Sequence, residues 1–128
     1  MRRVLVADDD LELLSEITET VAQWGYAVDS ARNGAELMEA MADRVFDLVI
    51  TDVSMPWMTG LQASHSARYA GLTTPILVIT ALGDDVIADR VTSLGRHARL
   101  LRKPFDLEAL ASAVDELIGD RASEDIAG

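Results

Sequence analysis

The chain has 128 residues, of which 49% are hydrophobic, so it suits one domain with one core and is too apolar to be disordered. Its formal net charge of −11 argues against binding nucleic acid or anionic lipid, because both require a basic face. The chain has no cysteine, no apolar stretch long enough to span a membrane and no signal-peptide core after Met1. We therefore expect a cytoplasmic protein without disulfides.

The first part of the chain alternates predicted strands with predicted helices. Residues 3–7 are β-rich and are followed by three consecutive aspartates. Helical spacing in the next segment predicts an inward face made of Leu14, Ile17, Val21 and Trp24. Gly25 is expected to end this helix. Residues 26–31 predict a second strand, and residues 33–34, Asn-Gly, begin a second helix.

A third predicted strand, residues 46–51, leads to a single carboxylate. Its centre, residues 48–50, is a short apolar run of the kind found in a strand covered on both faces. Asp52 follows it and therefore lies near the carboxyl end of a central strand. Pro56 and Gly60 interrupt regular structure before a third helix.

The second part of the chain repeats the same alternation. Its predicted elements are helices at about 61–70, 84–94 and 107–118 and strands at 76–79 and 98–101. Asp106 is a suitable N-cap for the last helix. Residues 119–128 are acidic and small, which predicts a frayed tail or the start of a linker. The predicted domain is therefore residues 1–118.

Five β-α units predict an α/β fold with a doubly wound, five-stranded parallel sheet of the flavodoxin-like order 2-1-3-4-5. In that order the chain reverses direction between the first and third strands, and ligands bind in the crevice at this point. The predicted strands end in Asp8 and Asp9, Asp52, Thr80 and Lys103. All of these polar residues are expected at the same edge of the sheet.

Three carboxylates gathered at one edge repel one another unless a cation lies between them. Mg²⁺ suits such a site because it takes oxygen ligands and shares phosphate oxygens. Lys103 is the only lysine of the chain, and its compact charge suits a phosphate oxygen. Asp52 is then expected to attack a phosphoryl group and form an acyl phosphate, with the Thr80 hydroxyl donating to a phosphate oxygen. Phosphorylation would draw the loop after the fourth strand inward.

Four separated segments, residues 4–10, 47–60, 80–81 and 103–105, resemble the motifs of response-regulator receiver domains of two-component signalling. The resemblance covers the chain to about Ile118. It implies that Asp52 receives a phosphoryl group from a histidine kinase or a histidine phosphotransfer protein. It also implies a switch between inactive and active conformers that controls a partner or an effector domain, which the sequence does not name.

The resemblance further implies the ligands of the metal and the role of the lysine. Asp8, Asp9, Asp52 and the backbone carbonyl of Ser54 are expected to bind Mg²⁺. Lys103 is expected to contact the phosphate and to precede a cis peptide bond.

The chain departs from the family at its conventional output face. The position of the family's switch aromatic holds Leu100, which can still move between buried and exposed positions but lacks a hydroxyl. The family's usual contact face suggests a homodimer through the fourth helix, the last strand and the last helix. The departure puts that face in doubt and leaves the phosphorylation chemistry unchanged.

The main rival interpretation is a phosphatase of the haloacid-dehalogenase type. The spacing of Asp8 and Asp10 after an apolar strand resembles the nucleophile motif of those enzymes, so Asp8 would carry the phosphoryl group. The chain is short for such an enzyme and lacks an obvious cap domain.

A degenerate receiver that binds partners without phosphorylation is disfavoured by the intact set of five residues. A nucleotide-binding Rossmann domain is disfavoured because the first β-α turn is acidic rather than glycine-rich.

Overall fold

The computed structural model describes residues 2–53, 60–81, 85–95 and 97–127, which form five strands and five helices in strict alternation. The strands are β1 (Arg3–Ala7), β2 (Ala27–Ala31), β3 (Leu48–Asp52), β4 (Ile76–Thr80) and β5 (Ala98–Arg102). The helices are α1 (Leu11–Gln23), α2 (Gly34–Asp43), α3 (Gly60–Tyr69), α4 (Asp85–Thr92) and α5 (Leu107–Ala127).

All neighbouring strands are parallel, and their order is β2-β1-β3-β4-β5, which confirms the predicted fold class and topology. The central strands β3 and β4 are buried along their whole length, as their continuous apolar sequences predict. None of the helices in the described residues combines the length and the apolar character needed to cross a lipid bilayer.

The sheet separates two apolar clusters because successive side chains of a strand point to opposite faces. Val4 and Val6 of β1 pack under α1 and α5, while Leu5 and Ala7 pack under the other three helices. The inner face of α3 consists of small side chains, Ala63, Ser64 and Ala67. Leu100 of β5 is half-buried against the cluster beneath α2, α3 and α4.

Three helices begin at side-chain caps, which include the cap predicted at Asp106 for the last helix. The Asp10 carboxylate accepts from the backbone N–H groups of Glu12 and Leu13. The Asn33 and Asp106 side chains accept in the same way at the first turns of α2 and α5. These caps satisfy backbone donors that have no partner within the helix, so each fixes where the helix starts.

Two predicted features of the helices are wrong. Trp24 is 37% exposed rather than part of the core, because α1 ends at Gln23 and Gly25, with a φ of 97°, turns the chain away. The last helix does not end at Ile118 but continues through Gly119 to Ala127. A glycine inside a helix costs only about 1 kcal/mol, and the alanine, glutamate and arginine beyond it favour helix. The division of the chain into a domain ending at 118 and a tail stays a prediction.

Candidate metal centre

The carboxyl edge of the sheet brings together the acidic residues that the sequence places at strand ends. Asp52 is the last residue of β3, and Asp8 directly follows β1. These strands are neighbours, with Ala7 paired to Thr51 in the register. As a result, one carboxylate oxygen from each of Asp8, Asp9 and Asp52 lies within 4.8 Å of the others.

A short turn fixes the orientation of the Asp8 side chain. Its Oδ1 accepts from the backbone N–H of Asp10 at 2.9 Å, and its own N–H donates to the carbonyl of Ala31 on β2. Asp10 thus serves two purposes, since its carboxylate also caps α1. An aspartate followed two residues later by a helix cap is the signal that predicts this turn.

The ammonium group of Lys103 lies close to two carboxylates of the acidic cluster. Its Nζ lies 3.4 Å from Oδ1 of Asp52 and 3.9 Å from Oδ2 of Asp8. Its backbone N–H donates to the carbonyl of Thr80 at 2.8 Å, which joins the end of β5 to the end of β4. Thr80 is buried at this edge, and the Lys103–Pro104 peptide bond is cis, as the resemblance implies.

Burial makes the negative charges of this site costly. It raises the pKa of Asp8 from 3.8 to about 6, and the nearby carboxylates of Asp52 and Asp9 add to the rise. The Asp10 N–H and the Lys103 ammonium oppose it. Burial also raises the pKa of Asp52, against the effect of Lys103. One lysine therefore does not fully compensate three carboxylates at this edge.

The donor set fits a hard divalent cation. It consists of carboxylate oxygens close enough to share one ion, two of them on buried residues and one, Asp9, on an exposed residue. A divalent ion held by these carboxylates would supply positive charge for a phosphoryl oxygen. Asp8, Asp9 and Asp52 can therefore hold a metal. The fourth predicted ligand, the carbonyl of Ser54, lies outside the described residues.

The raised pKa of Asp8 predicts a pH dependence of stability in the metal-depleted protein. A carboxyl group whose pKa is higher in the folded state stabilises the fold below its unfolded pKa, and this contribution is lost as pH rises through the folded pKa. We expect the free energy of unfolding of the wild type, relative to Asp8→Asn, to fall by roughly 2 kcal/mol between pH 4 and pH 7. Urea unfolding of both proteins in chelator measures this difference.

Mg²⁺ provides the control for that experiment. A cation that binds only the folded protein should raise wild-type stability at pH 7, where the carboxylates are charged, and have little effect at pH 4. A relative stability that rises with pH in chelator would contradict the electrostatic description of the site.

The structure thus brings Asp8, Asp9, Asp52 and Lys103 together and places Thr80 at the same edge. The chemical role of each residue is not tested by this geometry and remains a prediction.

Comparison with known proteins identifies the family. The family model for the response regulator receiver domain matches residues 4–115. The response regulator MprA of Mycolicibacterium vanbaalenii is 35% identical over 127 residues, covering 98% of this chain and 54% of that protein. The response regulator PmrA of Pseudomonas aeruginosa is 37% identical over 116 residues, covering 90% and 52%. The chain therefore spans about half the length of these relatives.

Solved structures agree with this result. The chemotaxis response regulator CheY4 of Vibrio cholerae is 29% identical, with a TM-score of 0.83 over 91% of this chain and 98% of that chain. A CheY-like receiver domain protein of Methanospirillum hungatei matches the fold with a TM-score of 0.90 at 21% identity, covering 97% and 98%. No comparison supports the phosphatase alternative with Asp8 as nucleophile. With its five parallel strands, its acidic edge and its relatives in agreement, the chain belongs to the response regulator receiver domain family.

Proposed function

We propose that Asp52 is the phosphoacceptor of this receiver domain and that a histidine kinase or a histidine phosphotransfer protein is the donor. The observation that carries the proposal is the position of the Asp52 carboxylate, which lies within 4.8 Å of two further carboxylates and 3.4 Å from the only lysine. Response regulators of two-component systems interact with histidine kinases and effectors, and this geometry supports Asp52 as the group that reacts.

The transfer needs little covalent chemistry from the protein. An Asp52 oxygen attacks phosphorus, an acyl phosphate bond forms, and the phosphorus–nitrogen bond of the donor breaks, leaving a neutral imidazole after protonation. Mg²⁺ held by Asp8, Asp9, Asp52 and the Ser54 carbonyl would supply positive charge for the phosphoryl oxygens. Lys103 supplies a second positive charge, since its Nζ lies 3.4 Å from Oδ1 of Asp52. The burial of Asp52 limits the access of water to the acyl phosphate.

Phosphorylation of Asp52 gives Thr80 and Lys103 a new hydrogen-bond acceptor at the carboxyl edge of the sheet. The Thr80 hydroxyl then donates to a phosphoryl oxygen, and the Lys103 ammonium moves its contact from carboxylate to phosphate. Thr80 ends β4 and Lys103 directly follows β5, so these contacts shift a pre-existing equilibrium between inactive and active conformers. We assign the domain a cytoplasmic signalling role, with no direct binding of nucleic acid or membrane and no catalysis beyond phosphorylation and dephosphorylation of itself.

In the active conformer we propose that α4, β5 and α5 form the contact face for the effector or for a second copy of the chain. The half-buried side chain of Leu100 lies on β5 within this face and takes the place of the switch aromatic.

A small phosphodonor tests the proposed function directly. Incubated with acetyl phosphate and Mg²⁺, the protein should gain the mass of one phosphoryl group, measured on the intact chain under mild acid. Excess EDTA should prevent the gain, because the carboxylates then repel the incoming phosphate. The same modified fraction with and without EDTA would contradict a metal-assisted transfer.

An apolar groove beside the site supports a protein donor. The groove has a volume of about 580 Å³ and lies between α1 and the start of α5. Leu13 and Ile17 line one side, Phe105 and Leu107 line the other, and Lys103 lies at the end that reaches the site. A donor helix with an apolar face seated in this groove would hold its histidine next to Asp52.

The groove predicts a difference between protein donors and small donors. Leu107 is 61% exposed, so Leu107→Glu should leave the fold intact while placing a charge in the groove. We expect phosphotransfer to slow by about tenfold or more when the donor is the histidine kinase that phosphorylates the wild type fastest. The rate from acetyl phosphate should be unchanged. Phosphorylation rates with both donors measure this.

Val45→Glu is the matched control, because Val45 is 85% exposed in the loop before β3, away from this edge of the sheet. This variant should be phosphorylated at the wild-type rate by both donors. Equal slowing of Leu107→Glu with both donors would show that the substitution damages the site rather than the docking of a partner.

A further inference from the structure

Arg68, in the last turn of α3, donates hydrogen bonds to backbone carbonyls outside its own helix. Its Nε donates to the carbonyl of Leu94 at 2.8 Å, one terminal nitrogen donates to the carbonyl of Leu72 at 3.0 Å, and the other donates to the carbonyl of His97 at 3.3 Å. These carbonyls belong to two segments, because Leu72 lies in the α3–β4 loop while Leu94 and His97 both lie between the end of α4 and the start of β5.

The position of this guanidinium has an electrostatic reason. The helices α3 and α4 pack on the same face of the sheet and end at the same edge, opposite to Asp52. The carboxyl end of a helix carries a partial negative charge, and its last carbonyls have no hydrogen-bond partner within the helix. A planar cation with several donors can satisfy carbonyls of both ends at once, which a lysine ammonium does with less geometric precision.

Among the apolar side chains described in and just after α4, those at the carboxyl end are the most deeply buried. At its carboxyl end Val91 and Leu94 are each only 4% exposed, while Ile87, nearer the start, is half-buried. The start of α4 follows Thr80, which ends β4 at the phosphorylation site. The end of α4 is therefore fastened by its buried side chains and by Arg68, and its beginning adjoins the part of the chain that responds to phosphate.

We infer that Arg68 is a positioning residue that pins the carboxyl end of α4, so that phosphorylation tilts the helix about this point instead of displacing it as a whole. The inference rests on the proposed phosphorylation of Asp52 for the cause of the motion. The pin itself is a property of the unphosphorylated protein. Arg68 thereby determines which part of the α4–β5–α5 face changes when the domain is activated.

Hydrogen exchange followed by mass spectrometry tests the pin without phosphorylation. In Arg68→Met, which keeps much of the alkyl stem, we expect amides of residues 89–98 to exchange about tenfold faster or more, because the hydrogen bonds of Leu94 and Gly95 to the preceding turn lose their support. Amides of β1 and β3 should keep the wild-type rate. Arg90→Met, an exposed arginine in the last turn of α4, is the matched control and should change nothing.

Arg68→Lys separates the hydrogen bonds from the charge. If the planar guanidinium is needed to bond all three carbonyls, the lysine variant should exchange nearly as fast as Arg68→Met over residues 89–98. Wild-type exchange in Arg68→Lys would overturn the proposal, because a positive charge near the helix ends would then suffice. The lysine variant also decides the question if Arg68→Met does not fold.

Exchange after treatment with acetyl phosphate and Mg²⁺ tests the tilt. In the wild type the change should be confined to the first turns of α4, residues 85–89, and in Arg68→Met it should extend to residues 93–98. A wild-type change that already reaches residues 93–98 would overturn the pivot. If the wild type takes up no phosphate, the proposed function fails, while the exchange rates of the unphosphorylated variants still decide whether Arg68 is a pin.

Discussion

Asp52→Asn is expected to abolish phosphorylation, with a loss of at least about 100-fold in the rate from acetyl phosphate and Mg²⁺, because an amide oxygen is not an effective nucleophile. The substitution keeps the shape of the side chain, and it removes a buried charge whose pKa is raised. The fold should therefore survive and become more stable in the metal-depleted protein at pH 7. Intact-mass measurement over time gives the rate, and urea unfolding gives the stability.

Two further variants separate the nucleophile from the metal ligands. Asp8→Asn and Asp9→Asn should also be phosphorylated slowly, but raising the Mg²⁺ concentration should restore part of their rate, because they weaken metal binding without removing the reacting oxygen. Asp52→Asn should not respond to Mg²⁺. Asp47→Asn, just before β3 in an exposed position, is a matched control and should behave as the wild type. Phosphate retained on Asp52→Asn would defeat the assignment of the phosphoacceptor.

Lys103→Met is expected to move metal binding and phosphorylation in opposite directions. The ammonium lies 3.4 Å from Asp52 and 3.9 Å from Asp8, so its removal leaves those carboxylates without a positive partner and more attractive to a cation. We expect Mg²⁺ to bind about tenfold tighter or more. The rate of phosphorylation should nevertheless fall by about 100-fold, the typical effect of removing one charged donor from a phosphoryl or oxyanion site.

Titration with Mg²⁺ followed by calorimetry measures the affinity, and intact mass measures the rate. Arg102→Met is the matched control, since Arg102 is the preceding residue, also cationic, but exposed, and should change neither quantity. Lys103→Arg tests geometry at constant charge, and we expect it to phosphorylate slowly because the larger planar group does not fit the position of an ammonium. Weaker Mg²⁺ binding in Lys103→Met would show that the lysine organises the carboxylates rather than competing for them.

The sequence alone predicts the architecture and the polar residues that meet at one edge of the sheet. Apolar runs at residues 48–50 and 76–79 can be buried on both faces only in a parallel sheet covered by helices, and the polar residues that end such strands must share one edge. The sequence therefore predicts that Asp8, Asp9, Asp52 and Lys103 lie close together, and the structure confirms their proximity. Hydrophobic periodicity depends on local sequence, and the strand order follows from the topology that alternating β-α units adopt, so both are predictable.

The errors and omissions have a different origin. Trp24 matches the helical spacing of Leu14, Ile17 and Val21, but whether that position faces the core depends on where the helix ends, and a turn at Gly25 decided this. The end of α5 was misplaced because Gly119 is a weak stop in a segment that otherwise favours helix.

Tertiary structure alone decided three features of this protein: the raised pKa values of Asp8 and Asp52, the groove beside Lys103, and the hydrogen bonds of Arg68 to three carbonyls. Burial, cavities and contacts to backbone carbonyls depend on the packing of segments that are far apart in the chain. Arg68 and Leu94 are separated by 26 positions. Every residue has a backbone carbonyl, so the sequence does not indicate which carbonyl accepts from Arg68. Residue types and their spacing therefore determine which polar residues meet at this edge of the sheet, while three-dimensional packing determines the pKa values of the carboxyl groups, the shape of the groove and the partners of Arg68.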